Sequence, residues 1–208
     1  PSIAISRMAA TCGPSLNGAM ASAINVLDDI HGGPGEQCME IYYEINALAG
    51  AGGDLESATA EVVARRKASG LKYFPGFGHR FHPLDPRAPR LLGMVREAAA
   101  TGDVSGRFAT IGTVLEDTLS KGRARRIPMN VDGATAVIHC ELGLAPELGR
   151  GVFILSRSVG ILAHAWEQMQ QGGRIKGPQA KFLNYTYDGP PRRDLTVTRT
   201  NEPTEESP

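Results

Sequence analysis

Three side chains able to move protons stand in Gly- and Pro-marked turns: His31 in His31-Gly32-Gly33-Pro34-Gly35, His79 in Pro75-Gly76-Phe77-Gly78-His79, and Asp132 in Asn130-Val131-Asp132-Gly133. Imidazole donates or accepts near neutral pH, and a carboxylate accepts, so the three types together suit acid–base work. Arg87 and Arg157 suit a ligand with carboxylates, because guanidinium offers two parallel N–H bonds. Arg157 lies among Ile154, Leu155, Val159 and Ile161. A charge in so apolar a helix needs an internal partner, or a ligand that becomes one.

Each residue also has a plainer reading. His31 precedes an expected helix start, where the helix dipole disfavours imidazolium, but it could simply fill a turn. Asp132 follows a loop and precedes a helix, the usual place of an N-cap, and a carboxylate committed to backbone N–H groups is a poorer base. His79 could be a loop histidine satisfied by backbone. His82 suggests a metal pair, yet the loop is Pro-rich and no third ligand is placed, so no metal is expected. His139 and His164 sit in apolar helices and read as structural. Lys121, Arg123, Arg125 and Arg126 could meet phosphates or form a solvated basic loop.

Helices must position these groups. Residues 3–29 read as two helices broken at Gly13-Pro14, and Pro34 opens a third, from about Glu36 to Leu48. Asp54 resembles an N-cap for a helix to about Ser69. Residues 70–89 form a long unperiodic loop, uncommon in a compact domain unless functional. Helices follow over about Arg90–Ala100, Arg107–Leu119 and Gly133–Leu142. Pro146 opens the longest, to about Gln170. Leu195-Thr196-Val197-Thr198 is the one β candidate, so the class is all-α. No internal repeat and no heptad seam is read, and the tail from Asn201 is expected to be loose.

Of the 208 residues, 22 are Lys or Arg and 22 are Asp or Glu. The balance argues against a nucleic-acid partner, which needs a basic surface. No apolar run reaches membrane-spanning length and no leader is visible, so a cytoplasmic protein is expected. Cys12, Cys38 and Cys140 show no pairing or metal spacing and read as buried free thiols of a reducing compartment.

Taken together, Ile30-His31-Gly32-Gly33-Pro34-Gly35-Glu36, the Pro75–Arg80 run followed by Asp85-Pro86-Arg87, Pro128-Met129-Asn130-Val131-Asp132-Gly133 and the softer Phe153–Gly160 run resemble citrate synthase and its relatives, in the family's order. One such motif is weak evidence; four in order are strong. The resemblance implies a large helical domain with a smaller one: residues 1–50 as large-domain helices, 51–130 mainly small domain with the coenzyme A-binding loop 71–89, 131–185 as returning large-domain helices, and 186–208 as a polar tail. It implies Asp132 as base, His31 as hydrogen-bond donor to a thioester oxygen, and His79 acting on a 2-oxo acid. Arg87 and Arg157 would grip carboxylates. Pro75, Gly76, Phe77 and Gly78 would approach coenzyme A, with Lys121, Arg125 and Arg126 at its phosphates. Coenzyme A enters as a thioester substrate, with no cofactor, and the assembly implied is a homodimer. The family's Arg-Pro pair near the C-terminus is absent: Gly177 precedes Pro178, and Arg174 or Lys176 is the nearest cation. The opening residues are closer to short citryl-CoA lyases and the lyase portion of ATP-citrate lyase. The implied reaction joins or separates acetyl-CoA and oxaloacetate. A citrate or 2-methylcitrate synthase is the second reading, and a non-catalytic coenzyme A-binding subunit the third.

Overall fold

The computed structural model describes residues 1–50, 52–79, 82–177, 189 and 191–192. Pro1–Lys176 form one compact unit and Gly177–Pro208 a second. The first unit holds eight α-helices among the described residues: α1 Ser2–Ala10, α2 Leu16–Ile24, α3 Pro34–Ala49, α4 Leu55–Ala68, α5 Arg87–Thr101, α6 Arg107–Ser120, α7 Val131–Glu141 and α8 Pro146–Gln170. The expected strand at 195–198 lies outside the described residues.

Local chemistry sets the helix ends. Asp54 accepts the Glu56 N–H and caps α4, and Pro34 and Pro146 open α3 and α8, where a missing N–H costs nothing. Two starts fall earlier than the sequence suggests. α5 begins at Arg87, because Pro89 falls in the first turn and interrupts no hydrogen bond. α7 begins at Val131, because Asn130 is its cap. The one β feature among the described residues is a bridge between Phe77 and Met129.

α3 is the axis of the unit. Its Cys38, Met39, Ile41, Tyr42 and Ile45 are all buried. They join one core with side chains of α4, α5, α6 and α7, while Ala23, Leu27 and Ile161 centre a second on α1, α2 and α8. α3 packs against both α7 and α8, and so sets the gap between them. Cys38 and Cys140 are buried free thiols as expected, but Cys12 is exposed.

α8 departs most from expectation. Leu148, Val152, Leu155, Val159, Leu162 and Trp166 repeat at alternating four- and three-residue spacing, and all six are exposed. This is the seam pattern the sequence reading does not see. Arg157 is therefore not ringed by core: Leu155 and Val159 are 71% and 70% exposed.

Candidate active site

A cleft of about 470 Å³ runs between α7 and α8, with Gly32 and Gly35 at the start of α3 in its wall. Arg87, Asp132 and Arg157 all line it. The two helices run in opposite senses along it: a Cβ on Gly149 would lie 3.5 Å from His139 Nδ1, while the Arg157 charge acts on Asp132.

Asp132 stands one residue inside α7. Asn130 Oδ1 accepts the N–H groups of Asp132 at 2.9 Å and Gly133 at 3.3 Å. Capping is thus done by Asn130 and not by Asp132. Among the described residues the Asp132 carboxylate takes no hydrogen bond. Burial pushes its pKa up, opposed by Arg87 and Arg157 and aided by Asp85. A half-buried, unbonded carboxylate with a raised pKa is suited to exchange a proton with carbon.

His31 turns Nε2 toward α1, 3.2 Å from Ser2 Oγ and 3.5 Å from the Ser2 N–H, which can only donate. The neutral ring then carries its proton on Nδ1. Burial and the Arg157 charge lower its pKa, favouring the neutral ring. Its ring meets Phe153 edge to face, with centroids 6.4 Å apart. Arg150 of α8 braces this turn from outside: it donates to Asp28 and Asp29 at 2.7 Å each and to Glu36. Its partners stand on both sides of His31 in the chain.

Arg87 has an internal partner. Its Nε and Nη2 donate to the two Asp85 oxygens, 2.9 Å each. Asp85 is 1% exposed and also accepts the Val131 N–H at 3.0 Å, so it ties Arg87 to the start of α7. The Arg87 hydrogen bonds hold its carboxyl well below the usual carboxylate range. Arg157 is different: among the described residues no carboxylate pairs with it, and its guanidinium lies over the Phe153 ring at 5.4 Å.

Of the anticipated residues only Arg87, Asp132 and Arg157 line the cleft; His31 stands next to the lining Gly32, and the others lie outside the wall. His79 Nδ1 accepts the His82 N–H at 3.0 Å, and the two rings are 4.8 Å apart. Its loop is pinned beside α7: the Gly78 N–H donates to Pro128 O at 2.7 Å, Asn130 N–H to Gly76 O at 2.9 Å, and Asn130 Nδ2 to Gly78 O at 2.7 Å. Gly76 and Phe77 serve the interior. A Cβ on Gly76 would lie 2.6 Å from Cys38 Sγ and 2.8 Å from Gly133 Cα, and buried Phe77 packs edge to face on Tyr42. Pro75 is half-buried. Of the basic loop, Arg126 is committed to Glu116 at 2.7 Å and Asp117 at 2.5 Å, whereas Lys121 and Arg125 are exposed. Arg174 is exposed, and the Lys176 N–H donates to Thr11 Oγ1 at 3.0 Å.

Two histidines read as structural line the same cleft, His139 and His164. Their signal in the sequence is spacing: His139 follows Asp132 and His164 follows Arg157 by seven residues, two helical turns on the same face. Among the described residues no group of three metal-ligating side chains comes together, and no helix is long and apolar enough to cross a membrane.

The fold has known counterparts. The chain resembles the structure of citryl-CoA lyase from Hydrogenobacter thermophilus at a TM-score of 0.71 and 26% identity, covering 94% of this chain and 72% of that one. The citrate synthase of Thermoplasma acidophilum, solved with carboxymethyl coenzyme A and oxaloacetate, shares the fold at a TM-score of 0.68 and 22% identity, over 94% of this chain and 50% of that one. The helices thus adopt the citrate synthase-type all-α fold. Residues 1–179 match the family model of the citrate synthase C-terminal domain, and the chain belongs to the citrate synthase family. Citrate synthase of Acidithiobacillus ferridurans is 31% identical over 72% of this chain, and citrate synthase 2 of Bacillus subtilis 30% over 83%. The chain spans 37% and 43% of the length of these two relatives.

Proposed function

We propose that this chain carries the reacting groups of a citryl-CoA lyase-like enzyme, which separates citryl-CoA into acetyl-CoA and oxaloacetate. One observation carries the reading: a half-buried carboxylate, Asp132, with no hydrogen bond among the described residues, shares a cleft with Arg157, a guanidinium that no carboxylate pairs among them. Arg157 and the remaining donors of Arg87 would hold the acid's carboxylates. His79 would take the hydroxyl proton once the α8 side closes toward its loop. The carbon–carbon bond electrons then pass to the thioester as an enolate, whose oxygen accepts the Nδ1–H of His31. Protonated Asp132, favoured by its raised pKa, returns a proton to the carbon and leaves the acetyl methyl. Lys121 and Arg125 remain for coenzyme A phosphates. The same reading makes the enzyme a cytoplasmic homodimer.

The lyase is placed first because the likeness takes in 72% of the citryl-CoA lyase chain, against 50% of the Thermoplasma acidophilum synthase chain. The synthase-named relatives keep condensation followed by thioester hydrolysis as the second reading. Citryl-CoA cleavage should be assayed beside coenzyme A release from acetyl-CoA plus oxaloacetate. Cleavage alone supports the lyase, and sustained coenzyme A release the synthase. If neither occurs, exchange of the acetyl-CoA methyl protons with deuterium decides. Binding without exchange leaves a coenzyme A-binding subunit and ends the catalytic reading.

A further inference from the structure

We propose that His164 is a further ligand-binding residue of the cleft, donating its Nε2–H to an oxygen of the bound small carboxylic acid. The inference rests on the proposed function above. Its warrant is the group behind the ring. Arg7 Nη1 lies 3.0 Å from His164 Nδ1. Guanidinium only donates, so Nδ1 must be the acceptor, and the neutral ring carries its proton on Nε2. Arg7 is itself held in place, donating to Glu167 at 2.5 Å and to Gln171 at 2.9 Å. The tautomer is therefore set from the side away from the cleft.

The cleft side is open. His164 is exposed and lines the cavity two turns after Arg157, about 10.5 Å along the helix axis. Between them stands Gly160, where a Cβ would meet only Ile3 Cδ1, at 3.6 Å. With no side chain at that position, the wall between guanidinium and imidazole is left clear. With Nδ1 accepting from Arg7, this end offers the cleft an Nε2–H donor. It suits the far oxygen of an acid whose carboxylate is on Arg157.

Two variants separate a binding role from a structural one. His164→Asn keeps an acceptor for Arg7 at the Nδ1 position and loses the cleft donor. His164→Gln extends an amide N–H to the Nε2 position and gives up the acceptor. Citrate and oxaloacetate binding is measured by titration calorimetry, with thermal melts alongside. The Asn variant should melt near the wild type yet bind about tenfold more weakly, the loss of one neutral hydrogen bond. The Gln variant should bind within about threefold of the wild type and melt lower. An Asn variant that binds both acids as tightly as the wild type overturns the proposal. A wild type that binds neither acid overturns the functional reading beneath it, and this inference with it.

Discussion

Asn130 accepts the Asp132 N–H at 2.9 Å and thereby caps α7, leaving the carboxylate two residues on without a hydrogen bond among the described residues. Catalysis and capping fall to different residues. Asp132→Asn should abolish methyl-proton exchange in acetyl-CoA while stabilising the fold. The folded pKa is raised, so the native state binds the extra proton, and the half-buried carboxylate costs stability as pH rises from the unfolded value through the folded one. At neutral pH the Asn variant should be the more stable of the two. A denaturant titration at pH 7 checks the sign. An Asn variant less stable than the wild type contradicts the burial argument.

Asp85 should behave in the opposite way. Its folded pKa is depressed, so its contribution is present above the ordinary carboxylate value and fades as pH falls toward the folded one. Asp85→Asn removes the carboxylate from Arg87 and weakens the tie to Val131. We expect a loss of about 1–2 kcal/mol, because Asp85 is buried but Arg87 is largely exposed and solvent screens the pair, and a flatter acid limb in the stability profile. Chemical denaturation from pH 7 to pH 3 tests both.

Arg157 has no ion pair to lose among the described residues, only the Phe153 ring. Arg157→Met should therefore change stability by less than about 1 kcal/mol. Affinity for citrate should fall by about a hundredfold or more, as expected when a charge-assisted carboxylate contact is removed. Melting and calorimetry on one preparation separate the two effects. A large drop in melting temperature would mean that the guanidinium serves the fold.

Arg150→Gln leaves Asp28, Asp29 and Glu36 without their shared cation around the His31 turn. Turnover should fall more than tenfold with acid affinity nearly unchanged, because Arg150 touches the turn and not the cleft wall. Arg150→Lys should recover little, since one ammonium cannot copy a three-way fork. Equal losses in turnover and acid affinity would contradict a positioning role.

Gly76→Ala should be strongly damaging. The position has φ +82°, and the new carbon would meet Cys38 Sγ and the Gly133 backbone inside 3 Å. A loss of about 3 kcal/mol or more follows from strain plus overpacking. Gly78→Ala, with similar φ but only Ile127 nearby at 3.7 Å, should cost about 1 kcal/mol. Paired unfolding curves measure the difference.

Punctuation made most of the helices legible. Gly13-Pro14, Pro34, Asp54 and Pro146 mark ends by local chemistry alone, and the structure uses each near the place expected. The α5 start was not legible, because a proline in a first turn looks the same in sequence as one that ends a loop. Asn130 and Asp132 are both capping types, so spacing alone did not choose between them. Ser2 and Arg150 were beyond local reading: their contacts to the His31 turn span 29 and at least 114 residues. The α8 stripe is visible in the sequence as alternating apolar spacing. Whether such a stripe is covered depends on what packs against it, and no local pattern states that.

The crossing of Gly76 over Gly133 has a mechanical corollary. With three backbone and side-chain bonds fastening residues 76–78 to 128–130, the His79 loop cannot swing without dragging the α7 start along. Any movement that brings His79 toward Arg157 must pivot outside both segments. Through such a stroke the Asp132 backbone would keep one bearing to that loop, leaving the α8 side to supply the relative travel.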